Sequence, residues 1–347
     1  MIIFYCNASP HIGFGHLMRC KQLAYEFKKQ GHECMMVGPS EKYQNEDDKK
    51  IFTDWLYREK WKSSKREAKS LLNSIIDHTS KFLVLDDYRI DELFQFQILK
   101  NKIEWLQFDH SAERPLWGNW ILNASPCANK KQYQSIVKTK SANLLLGPKY
   151  IILRSEFSGL SGNESKSTVN RVLITFGGGD DRGAIRFILQ ALLSKCDQKI
   201  KFIIVSGEYN PRNQENIDWI RKNGCEQVRY LINPPQLSNL FSSCDIAIIS
   251  GGTTSFEIVS CGVPMIIITI AENQVEQAKA WDSLNLGIYL GAFDKLKKEK
   301  LSENFFQLIS QSSKNLLNKF ASGSDIVDGK GAERVVNKIL NSNPYGN

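Results

Sequence analysis

Residues 1–37 read MIIFYCNASPHIGFGHLMRCKQLAYEFKKQGHECMMV, and this stretch decides the fold. Ile2–Cys6 is an apolar run of the length a buried strand takes. Leu17–Gln30 spaces its apolar residues as one face of a helix does, and Cys34–Val37 is apolar again. Strand, helix and strand in that order make a βαβ unit, and hence a mostly parallel sheet. Phe82–Leu85 and Glu104–Phe108 continue the series. From Ser158 to Asn170 the chain turns polar and glycine-containing, with no periodicity able to bury a face, which marks a linker. Beyond it the rhythm restarts, with Arg171–Phe176, Ile200–Ser206, Gln227–Leu231, Asp245–Ser250 and Met265–Thr269 as strands. The expected fold class is therefore α/β, two Rossmann-like domains in tandem. They span residues 1–157 and 171–347 on either side of a linker at 158–170. The second includes an amphipathic helix over Lys295–Phe320 and a closing helix near Ala332–Leu340.

A chain of 347 residues suits two domains of ordinary size. With 42% hydrophobic and 10% aromatic residues it can offset its chain entropy, which excludes a disordered polymer. No apolar run approaches the roughly 18 residues that cross a bilayer as a helix, so no stable membrane insertion is expected. Eight cysteines (6, 20, 34, 127, 196, 225, 244 and 261) lie far apart, with no CxxC pair. They are expected as reduced core thiols, with no metal and no cofactor. Met1–Cys6 lacks the basic start and small-residue cleavage site of a secretory segment, and the expectation is a cytoplasmic monomer. The net charge of +8 is scattered rather than gathered into a tract. It suits nucleotide phosphates or an acidic membrane surface, and a nucleic-acid partner is not expected.

In open α/β sheets, ligands collect beyond the carboxyl ends of the strands, where glycine-rich turns let the backbone approach them. Four strand ends here carry unusual residues. After Ile2–Cys6, Gly13 and Gly15 sit in a strand-to-helix loop and His16 stands at the helix N-terminus. That position favours the neutral imidazole, whose lone pair accepts a proton. The same pattern also fits a surface or capping histidine in an ordinary glycine turn. Ser250, Gly251, Gly252, Thr253 and Thr254 follow a strand and precede a helix, a nest of donors suited to a diphosphate. No lysine follows the glycines, so this is not the ATPase phosphate loop. Glu257, one turn into that helix, is placed to hold a ribose diol or merely to complement the helix dipole. Gly177, Gly178 and Gly179 before Asp180 suggest a ligand-facing turn. Asp86, Asp87 and Tyr88 end one strand and Asp109 and His110 another. Their carboxylates suit sugar hydroxyls, or simply cap the next helix.

Taken together, NASPHIGFGHLMRC (7–20), LLGPKYIILRSEF (145–157), FGGGD (176–180) and SGGTTSFE (250–257) resemble the UDP-2,4-diacetamido-2,4,6-trideoxy-β-L-altropyranose hydrolases of pseudaminic acid biosynthesis. The resemblance runs to about Leu340. It implies a GT-B fold, two Rossmann-like domains facing a cleft, as in the UDP-N-acetylglucosamine transferase of peptidoglycan synthesis. It also implies a small-molecule UDP-sugar substrate, hydrolysed with inversion at the anomeric carbon. On that basis His16 is the general base. Gly13, Gly15, Arg19, Asp87, Tyr88, Gly178 and Gly179 are substrate-binding, Ser250–Thr254 cradles the diphosphate, and Glu257 anchors the ribose. Asn273 and Gln274 line the sugar and phosphate region. No carboxylate cluster of the DxD type is present, so catalysis without metal is expected. Where the family usually carries aspartate, this chain has Asn7, which keeps the carbonyl acceptor but no charge.

Two other functions share these features. An inverting glycosyltransferase would pass the sugar to a lipid or sugar acceptor; its apolar, basic-rimmed surface has one candidate, Trp55–Trp61, whose aromatics equally suit a core. A non-catalytic nucleotide-sugar binder is disfavoured by His16 standing with both glycine loops.

Overall fold

The strand β1 (Ile2–Cys6) is buried along its whole length, as a strand between two parallel neighbours must be. It pairs with β2 (Cys34–Gly38) on one side and β4 (Phe82–Asp86) on the other. With β3 (Phe52–Tyr57), β5 (Glu104–Phe108), β6 (Trp120–Asn123) and β7 (Asn143–Leu146), these form a seven-stranded sheet. Its order is β3-β2-β1-β4-β5-β6-β7, and every pairing is parallel. A second sheet is built from β8 (Arg171–Thr175), β9 (Lys201–Ser206), β10 (Val228–Ile232), β11 (Ile246–Ile249), β12 (Met265–Thr269) and β13 (Ile288–Ala292). It has the order β10-β9-β8-β11-β12-β13, again parallel throughout. The computed structural model describes residues 1–9, 12–58, 61–80, 82–160, 169–310 and 322–342.

In both sheets the chain starts in the middle, works to one edge and then jumps back. The loops leaving β1 and β4, and those leaving β8 and β11, therefore diverge. Such a reversal opens a crevice at the carboxyl ends of the two strands, which is where ligands of doubly wound sheets bind.

The chain divides into two units. One holds residues 1–155 and the segment from Lys330, and the other holds Glu156–Gly329. The helix Gly15–Lys29 buries Leu17, Cys20, Leu23, Ala24 and Phe27 against alternate residues of the first sheet, among them Ile2, Phe4, Phe82 and Val84. The helix Gly331–Ser342 packs into this same cluster through Val335, Val336 and Ile339. The sequence assigned it to the second domain, because an amphipathic helix records that it has an apolar face but not which sheet receives it. The second unit has its own core, built from Val172, Ile174, Phe202, Ile204, Ile248 and Ile266 beneath the helix Ala184–Leu192. The expected helix over Lys295–Phe320 is present as Lys298–Ser310, and 311–320 lies outside the described residues, as does most of the expected linker, 161–168. All eight cysteines are free, and those at 6, 20, 34, 244 and 261 are buried. Trp55 is buried in β3, and Trp61 stacks on Phe94, so these aromatics serve the core. No described helix is long and apolar enough to cross a membrane.

Candidate active site

Successive strand residues point to opposite faces, and in β4 the residues Phe82 and Val84 face the helix Gly15–Lys29. Asp86 continues that parity to the end of the strand and is 1% exposed. Its Oδ1 accepts a hydrogen bond from His16 Nδ1 at 2.7 Å, and Arg19 donates to both carboxylate oxygens through Nε and Nη2. His16 and Arg19 lie one turn apart near the start of their helix, so both reach one acceptor at the reversal point of the sheet. Burial alone would push the Asp86 carboxyl up. The charge of Arg19 and the hydrogen bonds from Arg19 and His16 outweigh it and hold the group below the usual carboxylate range.

An ionised carboxylate only accepts, which assigns the imidazole proton to Nδ1 and leaves the lone pair on Nε2. Arg19 Nη2, 2.9 Å from Nδ1, is a second donor converging on the same oxygen. Nε2 has no hydrogen-bond partner among the described residues. Tyr88, half exposed, sets its ring edge-to-face on His16 at 4.5 Å and stands as close to His110. The guanidinium of Arg19 also lies over the Phe108 ring, 4.6 Å from its centroid. An imidazole held in one tautomer by a buried carboxylate has the geometry to take a proton from water or a hydroxyl at Nε2.

The carboxylate beside His16 is Asp86, whereas Asp87 turns to Arg89 in a side-chain ion pair. Arg19 reaches Asp86 through Nε and Nη2 and lies over the Phe108 ring, with its side chain 29% exposed. Sequence parity in β4 is the signal that picks Asp86 over its neighbour. Gly13 has φ +90°, a left-handed backbone that favours glycine, and its N–H closes a turn onto Ser9 O. Gly15 has an ordinary backbone, and a side chain there would meet no atom within 4 Å. Asn7 directly follows β1 and is half buried.

The remaining candidates gather in the second unit at the carboxyl ends of β8, β11 and β12. The N–H groups of Gly251, Gly252 and Thr253 donate to no described residue. Their carbonyls are held from behind: Gln277 Nε2 donates to Gly251 O at 2.7 Å, to Gly252 O at 3.0 Å and to Ser255 Oγ at 3.0 Å. Trp281 Nε1 donates to the same Ser255 oxygen. The pattern of SGGTT gave no hint of Gln277. Gln274 also supports the turn, since a Cβ on Gly251 would come 2.8 Å from its carbonyl oxygen. Asn273 stands beside it, exposed. Glu257 lies in the first turn of the short helix Thr254–Ser260. Gly178 and Gly179 are exposed, and Gly178 is pressed by Gly207 at the end of β9, where a Cβ would sit 2.4 Å from Gly178 Cα. Among the described residues no group of three or more His, Cys, Asp or Glu side chains is arranged to hold a metal ion.

Two doubly wound parallel sheets, each with glycine-containing loops at its reversal point, define the GT-B class of α/β proteins. The chain superimposes on MurG of Acinetobacter baumannii with a TM-score of 0.68 over 98% of its length and 99% of that chain, at 11% identity. HepE of Anabaena, solved in complex with UDP, gives 0.64 over 99% of this chain and all of that one, at 12% identity. Residues 171–331 match the glycosyltransferase family 28 C-terminal domain.

Among characterised sequences, the chain is 24% identical over 89% of its length to a Helicobacter pylori protein. That relative is described as a pseudaminic acid cytidylyltransferase and UDP-2,4-diacetamido-2,4,6-trideoxy-β-L-altropyranose hydrolase. The resemblance carried by the four segments thus extends over most of the chain. A spore coat polysaccharide biosynthesis protein of Bacillus subtilis is 27% identical over 54% of the chain. These matches span only 50% and 56% of the two relatives' own lengths.

Proposed function

We propose that the protein processes a UDP-sugar in sugar biosynthesis and, specifically, hydrolyses it at the anomeric carbon. The observation that carries the proposal is the Asp86–His16 pair, a buried carboxylate fixing an imidazole whose Nε2 is left to accept a proton. In the reaction, the oxygen of water bonds to the anomeric carbon while His16 Nε2 takes its proton. The bond from that carbon to the phosphate oxygen breaks, and UDP leaves with the electron pair. Attack opposite the leaving group inverts the anomeric centre. The unpaired N–H groups of Gly251–Thr253 suit the phosphates of the departing UDP, and Glu257 suits its ribose. A stabilised diphosphate needs no strong general acid, so one base supplies the acid–base chemistry, worth about 10²–10⁴-fold in rate.

The experiment is incubation with a panel of UDP-sugars in labelled water, followed by NMR. UDP should appear with the label on the sugar, and His16→Asn should lower kcat far more than it alters KM. Label on phosphate, or a His16→Asn variant at the wild-type rate, rejects the mechanism. The match of residues 171–331 to a glycosyltransferase domain favours a second reading, in which a sugar or lipid hydroxyl replaces water. Under that reading UDP release should depend on an added acceptor.

A further inference from the structure

The turns proposed to receive the diphosphate present neutral N–H groups to a strongly anionic ligand. Segments 176–182, 250–256 and 270–274, which follow β8, β11 and β12, contain a single basic residue, Arg182. Its surroundings set it apart from an ordinary surface arginine. The backbone of Arg182 is left-handed, with φ 55°, a conformation that a long side chain rarely adopts. That conformation is held on both sides: Asp180 Oδ1 accepts from the Arg182 N–H at 2.8 Å, and the buried Asp181 accepts from Gly183 N at 2.7 Å.

From there the side chain crosses to the neighbouring loop, where Nη1 donates to Ile270 O at 2.7 Å. Ile270 N in turn donates to Gln274 Oε1, and both Thr269 and Gln274 abut Gly251. The guanidinium is thereby delivered to the turn that backs the Gly251–Thr253 donors. Its Nε and Nη2 groups bond no described residue. The two adjacent carboxylates do not neutralise it. Asp180 pairs with Arg212, and Asp181 faces inward to Asn210 and Asn216.

We infer that Arg182 is a diphosphate-binding residue. It is the one cation of these three turns, strapped to the end of β12 by one N–H and offering the others to the phosphate oxygens. The inference rests on the UDP-sugar reading above. The test is calorimetric binding of UDP, of uridine and of inorganic pyrophosphate to the full chain. Arg182→Asn removes the cation but keeps a residue that tolerates the left-handed backbone, and Arg182→Lys keeps the charge without the fork. Arg182→Asn should weaken UDP and pyrophosphate by about 10- to 100-fold, as expected for loss of a charge-assisted hydrogen bond. Uridine should bind as before, the salt dependence of UDP binding should flatten, and Arg182→Lys should recover part of the loss. UDP affinity unchanged in Arg182→Asn, or a parallel loss for uridine and UDP, overturns the inference, the latter leaving Arg182 as a strap alone. If the wild-type protein binds neither UDP nor pyrophosphate, the UDP-sugar reading fails and this inference falls with it.

Discussion

Replacing Asp86 with asparagine separates the carboxylate's two roles. The side chain is 2% exposed and accepts from both Arg19 and His16, while Arg19 is 29% exposed. Breaking a buried ion pair from one side costs about 3–5 kcal/mol, and the residual exposure of Arg19 places this case at about 3. For a unit of this size that corresponds to roughly 6–12 °C in melting temperature. Asparagine also no longer fixes the proton on Nδ1, because its amide can donate as well as accept, so kcat should fall by about 10²–10⁴-fold.

A companion variant, Arg19→Gln with Asp86→Asn, leaves no unpaired charge and should recover most of the melting temperature while staying slow. In a His16→Asn background, Asp86→Asn should cost little further rate, because the two act as one unit. The pH dependence has a definite sign. Asp86 titrates lower folded than unfolded, so its contribution is complete above the ordinary carboxylate value of about 3.9 and fades as pH falls through the folded value. Wild-type protein should therefore lose its stability advantage over Asp86→Asn in strong acid. Differential scanning calorimetry and UDP-release kinetics read both effects. A single variant with kcat within twofold of wild type, or a double variant that regains rate along with stability, refutes the assignment of Asp86 to the base.

Gly251→Val places a branched side chain where even a Cβ lies 2.8 Å from Gln274 O, so it should abolish UDP binding in calorimetry, and unchanged affinity would remove that turn from the site. EDTA should leave turnover unaltered if N–H donors and Arg182 supply the positive charge, and a loss restored by magnesium or manganese in the same assay would show otherwise.

The strands β1, β5 and β12 were legible from their apolar, β-branched or aromatic runs. Other strands were not. Both β6 and β7 are four residues long, too short for periodicity to separate them from a helix turn. In β3 the strand starts directly after a helix ending at Ile51, with no turn residue between them, and β13 pairs with β12 through a register shift. His16 was legible because strand, glycine loop and helix follow one another in sequence. Its partner Asp86 is 70 residues away, and choosing it over Asp87 requires knowing that β4 runs one residue further than its apolar run. Gln277 and Arg182 are not legible in the sequence for a related reason. Each acts on a loop belonging to a different strand, a relation that only the sheet order creates.

The helix Gly331–Ser342 gives the protein an inverted order of completion during synthesis. Its hydrogen bond from Gln30 to Asn337 spans 307 residues, so at about 5–20 residues per second the Gln30 partner is made roughly 15–60 s before the contact can close. Through that interval the apolar face of Leu23, Ala24 and Phe27 lacks the cover of Val335, Val336 and Ile339, and every strand of the later unit is made before that cover arrives. The half of the protein that carries the proposed base is thus begun first and finished second. Until then it is a nascent chain with an exposed sticky flank, the species on which a chaperone of hydrophobic segments would act.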